Sequence, residues 1–306
     1  MSRLSDRAGL IGLAAFLAVD VLLVAVAVQS TRGSAAGSGA PVVATSSSSR
    51  SSTATMAADA TSGVEVVPVG VGIFGVDADT ALRFVVGSCR DGGSKLELTT
   101  DGGRSWKARP EPFDALVRVK VRGNGSSFAV GARAADGCRP SIRQATKYDA
   151  DWGNASAVND AWYRDPRDER AVGLPTGGTG RPCGSKAVVD LAITDRGAAA
   201  LCPDGTVLVS RAGAAWDKSA KVPGALALAL DDTSRSFAVV PGSEGCRGLS
   251  VVDAAKPTAV VGCVEADLAT VKPGTVALSV AGSNAWMRVG GAVFRASADL
   301  STWRSS

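Results

Sequence analysis

The sequence contains no histidine, only two tyrosines and no marked excess of charge of either sign. Lysine and arginine number 33 against 29 acidic residues, so the net charge is +4. The lack of histidine excludes Ser-His and Cys-His nucleophile pairs and most transition-metal sites, because imidazole is the usual base and ligand in them. The charge balance, without a basic run interleaved with aromatics, predicts no nucleic-acid partner. We expect neither a metal nor a cofactor.

A zinc site is not expected either, because none of the six cysteines belongs to a Cys-x-x-Cys pair. Their even number and wide spacing predict three disulfides, formed in an oxidising compartment. Six buried free thiols in a cytosolic protein are the alternative. The cysteines are Cys89, Cys138, Cys183, Cys202, Cys246 and Cys263.

Residues 8–28 form an apolar run that only Asp20 interrupts. At 1.5 Å per residue a helix of this length crosses the ~30 Å hydrocarbon core, and Arg3 and Arg7 before it favour a cytoplasmic N-terminus. The sequence therefore predicts a single-pass cell-membrane protein, with residues 1–7 in the cytoplasm and a disordered Ser/Ala/Thr/Gly-rich linker at residues 29–63. A cleaved signal peptide is the alternative, because Ala25 and Ala27 form an A-x-A-like site.

Residues 64–306 read as short β runs separated by Gly, Asp, Asn and Pro, without long amphipathic helical patterns, which predicts an all-β extracytoplasmic domain. The run also repeats. Ser-Phe-Ala-Val at 127–130 and 236–239 follows an apolar run and precedes Gly-Cys-Arg in both places. Tryptophan follows the third run in four of the five repeats, at positions 106, 152, 216 and 303, and is absent from the copy near residues 256–258. A four-strand repeat of about 44 residues is typical of β-propeller blades.

The predicted fold is a β-propeller of about five to six four-stranded blades, with a β-sandwich as the competing architecture. Five blades are clear, and about 20 surplus residues near 154–181 form either a long loop or a fragment of a sixth. Residues 64–69 are expected to supply the outer strand of the last blade and close the ring. Among 15 possible pairings, Cys183–Cys202 and Cys246–Cys263 would close loops within blades, and Cys89–Cys138 would join neighbouring blades.

The stretch Thr-Thr-Asp-Gly-Gly-Arg-Ser-Trp at 99–106 predicts a tight β-turn. An Asp carboxylate accepts hydrogen bonds from turn amides, glycines allow positive φ, and the Trp is expected to fold back onto its hairpin. The pattern resembles the Asp box (BNR repeat) of sialidase-like β-propellers, where it lies between the third and fourth strands of a blade. The resemblance implies a structural turn formed by Thr99, Asp101, Gly103, Ser105 and Trp106.

The same resemblance raises a glycosidase function. Sialidase-like enzymes use an arginine triad, a Tyr nucleophile with a Glu partner and an Asp acid/base. The chain has only Tyr148 and Tyr163 and no arginine triad on equivalent strands, so no catalytic residue of the family carries over. Gly70-x-Gly72-x-x-Gly75 lacks the following helix that a dinucleotide site needs, and it is expected to be a turn.

Residues 159–170 form the most distinctive loop, with adjacent aromatics among dense mixed charge. Trp162, Tyr163, Arg164 and Arg167 belong to the residue types enriched at binding hot spots. They either contact a partner or form a solvated insertion in which the Trp packs on a blade. We predict a non-enzymatic binding or scaffold module for a protein or glycan at the outer membrane face. The alternatives are a glycoside hydrolase and an accessory subunit of a membrane complex, for which Asp20 would be a helix contact.

Overall fold

The computed structural model describes residues 64–306, apart from positions 212, 214 and 298. The predicted membrane segment at 8–28 and the linker at 29–63 lie outside these residues. Within the described part of the chain, no helix has the length and apolarity to span a membrane.

The described residues form a six-bladed β-propeller, and the predicted fold class is confirmed. Each blade is an antiparallel sheet built from one continuous piece of chain. Blades 1 and 2 contain β1 Val71–Gly75, β2 Ala81–Val85, β3 Lys95–Thr99 and β4 Lys107–Arg109, then β5 Ala115–Val121, β6 Ser127–Ala132, β7 Ser141–Ala145 and β8 Ser156–Ala157. Blades 3 and 4 contain β9 Tyr163–Arg164, β10 Val172–Gly173 and β11 Thr179–Gly180, then β12 Asp190–Thr194, β13 Gly197–Leu201, β14 Thr206–Ser210 and β15 Asp217–Lys221. Blades 5 and 6 contain β16 Ala227–Leu230, β17 Ser236–Ser243, β18 Cys246–Asp253 and β19 Lys256–Val264, then β20 Val276–Ala281, β21 Asn284–Val289, β22 Ala292–Ser297 and β23 Arg304–Ser305. Short 3₁₀ helices lie at Ala134–Asp136 and Leu268–Thr270.

The surplus residues near 154–181 are a reduced sixth blade, blade 3. Its three strands are two residues long each, and they pair in the order β11-β10-β9. The turn after β9 lies beside Cys89 and Cys138, whereas the turn after β10 lies beside the β12–β13 turn of blade 4. In the four-stranded blades those two positions belong to the second–third and third–fourth turns. Blade 3 therefore has counterparts of the second, third and fourth strands and none of the innermost strand.

The apolar patterning of the strands places the core between blades. The two Ser-Phe-Ala-Val repeats are second strands, β6 and β17, and Phe128 and Phe237 are buried in both. Gly72 and Gly75 lie in β1 and not in the turn that the sequence analysis expected. Both positions need glycine, because a side chain at Gly72 would collide with the ring of Phe84 and one at Gly75 with that of Trp286. Close approach of aromatic rings, and not nucleotide binding, is the requirement for these glycines.

Residues 64–69 do not supply the outer strand of blade 6, as the sequence analysis expected. Blade 6 takes β23 as its own fourth strand. The incoming segment crosses the propeller instead: Val69 donates its backbone N–H to the carbonyl of Val189 in front of blade 4, and Gly70 donates to Gly274 in front of blade 6. Val64 and Val66 pack against the core between blades 5 and 6.

The ring is closed at a seam between blade 6 and blade 1 by side chains. Arg288 of β21 donates from Nη1 to the carbonyl of Phe84, at 2.7 Å, and from Nε to Gly290, at 2.9 Å. Trp286 donates its indole N–H to Asp77, and Arg295 donates to Ala78, both across the seam. Hydrogen bonds from arginine and tryptophan to main-chain carbonyls thus take the place of a shared strand.

The tryptophan of each repeat packs on the preceding blade. Trp106 of blade 1 meets Trp286 of blade 6 edge-on, with ring centroids 6.4 Å apart, and Trp152 of blade 2 donates to Pro110 of blade 1. Trp303 of blade 6 lies against Gly262 of blade 5 in the same way. The Trp106 ring also lies under the guanidinium of Arg83 in its own blade, 4.3 Å from the centroid, so it contacts both its own sheet and that of blade 6.

Three disulfides are present, in the pairing proposed from the sequence. Cys89–Cys138 joins the second–third turns of blades 1 and 2. Cys246–Cys263 links the third and fourth strands of blade 5. Cys183–Cys202 does not close a loop within one blade: Cys183 lies in the connection from blade 3, and it is tied to the second strand of blade 4. Alternation of antiparallel strands places all three on one face, here called the disulfide face.

Candidate binding notch

An open cavity, here called the notch, lies on the face opposite the disulfides, over blade 3 and the mouth of the central channel. Its volume is about 1150 Å³, at or above the upper end of the range for small-molecule pockets. One wall is blade 2, another is the β12–β13 turn of blade 4, and the floor is the connection at residues 159–162. The first–second turns of blades 1, 5 and 6 line the far side. The notch includes Arg118, Lys120, Arg122, Phe128, Gln144, Asn159, Asp160, Trp162, Pro175 and Asp195.

A ladder of three basic side chains lies on the blade-2 wall of the notch. Arg118, Lys120 and Arg122 occupy alternate positions of β5, so they share one face of the strand. The intervening Val119 and Val121 point the other way and pack on blade 1. A register shift between Leu116 and Arg118 sets this orientation. The alternation of basic residues with Val at 117–122 was the sequence signal for this wall, and the sequence analysis missed it.

Arg118 is the innermost member of the ladder and lies where the notch meets the central channel. Its Nη1 donates to the carbonyl of Trp162, at 2.7 Å, and its guanidinium lies over the ring of Phe128, 4.9 Å from the centroid. Burial lowers the pKa of Arg118 to about 10, and the nearby charge of Arg122 lowers it further, whereas Asp195 opposes the shift. A lowered arginine pKa means that the cation lacks sufficient anionic compensation.

One ion pair bridges the notch. Lys120 of blade 2 donates from Nζ to Asp195 of blade 4, and the pair spans the gap above blade 3. The Lys120 side chain is 19% exposed, whereas that of Asp195 is 90% exposed. The hydrogen bond and charge of Lys120 lower the pKa of Asp195. An exposed carboxylate on a less exposed ammonium is a weak and exchangeable contact.

The connection that forms the floor of the notch is not paired to a sheet. Among the residues that the structure describes, no backbone–backbone hydrogen bond joins residues 159–162 to another segment. Asp160 has a positive φ of 57°. Backbone groups without a protein partner must be hydrogen-bonded to water or to a ligand.

Of the four predicted contact residues, Trp162 is buried, which corrects its assignment as a surface contact, and Arg164 is half-buried with its guanidinium bonded to main-chain carbonyls. Trp162 is 5% exposed and meets Trp216 of blade 4 edge-on, with centroids 5.4 Å apart. Arg164 donates to the carbonyls of Val69 and Val189, and burial lowers its pKa. The alternative interpretation of Trp162, packing on a blade, agrees with this placement.

The other two predicted contact residues are more accessible. Tyr163 is half-buried with its ring over Gly173, and burial raises the pKa of its phenol. Arg167 is 46% exposed and forms an ion pair with the buried Asp165 on the disulfide face, away from the notch. A contact between Arg167 and a partner stays a prediction.

The Asp-box-like turn lies between β3 and β4, where the resemblance placed it. The Asp101 carboxylate accepts from the N–H and the hydroxyl of Ser105, at 3.0 and 2.6 Å, and from the Thr99 hydroxyl, at 2.8 Å. Gly103 donates its N–H to Thr99. Gly102 and Gly103 have φ of +75° and +87°. These bonds lower the pKa of Asp101 to about 2, with the Ser105 hydroxyl as the largest cause.

A second turn of this kind lies in blade 6, between β22 and β23. Asp299 accepts from the hydroxyls of Ser297 and Ser301, at 2.6 and 2.9 Å, and from the Ser301 N–H. The sequence analysis recognised only Trp303 there, because the turn is one residue shorter and has Ser301 in place of the glycine. Membership of the Asp-box family stays a prediction.

The central channel itself is small, about 150 Å³, and lined mainly by small and apolar side chains of the innermost strands. Its one carboxylate among the described residues is Asp190, which accepts from the N–H groups of Leu191 and Leu228. Burial raises the pKa of Asp190, and Arg164 opposes that shift. Within the described chain, no group of three or more Cys, Asp or Glu is placed to hold a metal ion.

No protein-family model matches the chain, and no curated protein matches it. Solved propeller structures are similar in backbone shape. YCF48 bound to D1 peptide has a TM-score of 0.41 at 15% identity, over 79% of this chain and 84% of that chain. YCF48 from Cyanidioschyzon merolae has a TM-score of 0.36 at 16% identity, over 78% and 86%. Saccharomyces cerevisiae Sqt1 has a TM-score of 0.36 at 10% identity, over 76% and 71%. These values carry no argument about the partner of this chain.

Proposed function

We propose that this protein is a membrane-anchored binding module whose propeller, held outside the cytoplasm by residues 8–28 and a linker, docks a protein partner in the notch. The notch is the observation that carries the proposal. It is a large cavity that opens on one face of the propeller, between the β5 wall of blade 2 and the turns of the other blades. A concave site on which polar groups converge is a usual place for a ligand, and the polar groups here belong to several blades.

The extracytoplasmic location is supported by the cysteines. All six are paired, and disulfides persist in oxidising compartments. The apolar segment at 8–28 supplies the anchor in this proposal. Asp20 in that segment remains the feature on which an accessory role in a membrane complex depends. Replacement of Asp20 by Leu would reduce recovery of membrane partners if that role is correct.

Photo-crosslinking in the native envelope tests the docking site. A photoreactive residue at Asn159, exposed in the notch, should capture a discrete protein partner. The same residue at Lys218, exposed on the outer strand β15, is the matched control and should capture none. Capture from neither position, or from both equally, would contradict docking in the notch.

The glycoside-hydrolase alternative needs two carboxyl groups facing one ligand. The notch holds aspartates near basic side chains, but Asp195 is occupied by Lys120 and its pKa is lowered, which does not suit a general acid. Tyr163 has a raised pKa, opposite to the shift that activates a phenolate nucleophile. Release of sugar from glycans by the purified protein, lost in Asp195→Asn, would favour the hydrolase instead.

A further inference from the structure

We propose that the notch takes an extended acidic segment of the partner, which lies along β5 and sets its carboxylates on the β5 ladder. This inference rests on the proposed function and names the chemistry of the partner. It is carried by the charge of one wall, the free donors of Arg118 and the unpaired backbone of the floor.

The spacing of the ladder fits an extended ligand. Arg118, Lys120 and Arg122 are two residues apart on one strand, and side chains at alternate positions of an extended chain share the same periodicity. A segment with acidic residues at every second position therefore presents each carboxylate to one basic side chain. The buried ring of Phe128 lies under the guanidinium groups of Arg118 and Arg122, each 4.9 Å from its centroid, and so holds these two members of the ladder in place.

Arg118 has donors left for a ligand. A guanidinium has five N–H donors, and that of Arg118 makes one hydrogen bond to protein among the described residues, to Trp162. Arg164, which follows Trp162 by two residues, differs from Arg118 because its guanidinium donates hydrogen bonds to two main-chain carbonyls. The free edge of Arg118 faces the cavity, and a planar fork of this kind binds a carboxylate through two parallel bonds.

The floor offers a backbone to pair with. Residues 159–162 border the notch and have no backbone partner in the described structure, and of their main-chain groups only the Trp162 carbonyl is bonded there, by Arg118. Addition of an extended peptide to an unpaired main-chain edge gives affinity through backbone bonds, while side-chain contacts give specificity. An acidic glycan would use the ladder but not this edge, which is the reason for proposing a peptide.

Carboxylates of the protein itself also surround the notch, and one of them competes with a ligand carboxylate for the basic ladder. Asp195 already holds Lys120, and Asp160 lies on the floor; Asp77 and Asp232 line the far side, where their side chains accept backbone N–H groups. A ligand carboxylate must displace Asp195 from Lys120. Removal of the Asp195 charge should therefore strengthen binding, whereas removal of Arg118 should weaken it.

The experiment uses the purified full-length protein and a fluorescent peptide, acetyl-Thr-Glu-Val-Glu-Val-Glu-Thr-amide, with the Gln-for-Glu peptide as its control. We expect the Glu peptide to bind at least about tenfold more tightly, the effect of one charged hydrogen-bonded pair. Arg118→Met should remove that preference, and Arg118→Lys should restore part of it. Asp195→Asn should raise the affinity about two- to fivefold, the range for an exposed ion pair.

Lys218→Met, on the outer strand of blade 4, should change nothing. Equal binding of the two peptides, or an Asp195→Asn variant that binds the Glu peptide more weakly, would overturn the proposal even if Arg118→Met fails to fold. Tight binding of oligogalacturonate with none of the Glu peptide would overturn it in favour of a glycan. Capture of a protein at Asn159 without discrimination between the peptides would leave the proposed function standing and remove this inference alone.

Discussion

Arginine has opposite roles in two regions of the molecule, the seam between blades 6 and 1 and the notch beside blade 3. At the seam, Arg288 and Arg295 donate to main-chain carbonyls of blade 1, and aromatic rings fill the space between sheets. At the notch, Arg118 makes a single bond and faces open space. A buried arginine with its donors used holds a fold together, whereas one with donors left over is available to a ligand.

The two regions also differ in how their blades are held. Cys89–Cys138 ties blade 2 to blade 1, and Cys183–Cys202 ties the exit of blade 3 to blade 4, so covalent bonds lie on both sides of blade 3, on the face opposite the notch. The seam has no disulfide among the described residues. An incomplete blade buries less apolar surface, and cross-links offset that loss.

The largest effect is expected from Trp162, which fills the space between blades 3 and 4. Trp162→Ala should lower the free energy of unfolding by about 3–5 kcal/mol, as for other large buried aromatics. Asn159→Ala, in the same notch but exposed, should change it by no more than about 0.5 kcal/mol. Chemical denaturation of both variants makes the comparison. Unchanged stability of Trp162→Ala with lost partner capture would restore Trp162 as a contact residue.

The next largest effect is the difference in stability loss between replacing an arginine of the seam and replacing an arginine of the notch. Arg288→Met removes two charged hydrogen bonds, to the carbonyls of Phe84 and Gly290, and should cost about 2–4 kcal/mol of stability. Arg118→Met loses one bond to Trp162 and should cost about 1 kcal/mol. Equal losses in urea denaturation would show that Arg118 is structural too, and the contrast between seam and notch would fail.

Periodic features of this fold could be predicted from the sequence, and features that depend on a missing element could not. Phe128, Phe237 and the repeated tryptophans mark blades because each recurs at one place in a regular unit. Blade 3 has strands of two residues and no innermost strand, so it has no period to detect. The structural role of Arg164 could not be predicted either, because its hydrogen-bond acceptors are main-chain carbonyls, which every residue type carries.

A smaller difference is expected between the disulfides. Double replacement of Cys89 and Cys138 by Ala should cost about 1 kcal/mol more than the same change at Cys246 and Cys263, because it frees a loop of 49 rather than 17 positions. Each removal should cost about 2–4 kcal/mol in total. Hydrogen exchange locates the effect: loss of Cys89–Cys138 should speed exchange in β5 and β6 and leave the seam strand β21 unchanged. Faster exchange at the seam instead would mean that the ring opens there first.

The smallest effect concerns the turn of blade 1 that packs on the seam, where a side chain at Gly103 would collide with Ser306. The pKa of Asp101 is lowered from 3.8 to about 2 in the folded protein. Its carboxylate therefore stabilises the fold above about pH 4, and that contribution is lost as the pH falls toward 2. Wild type should melt at a higher temperature than Asp101→Asn at pH 7, and the gap should close between about pH 4 and 2. Asp299→Asn in blade 6, whose carboxyl pKa is also lowered, should behave in the same direction. A gap that widens on acidification would show that Asp101 acts through a partner other than the Ser105 and Thr99 hydroxyls, and the turn would then need a different explanation for its place at the seam.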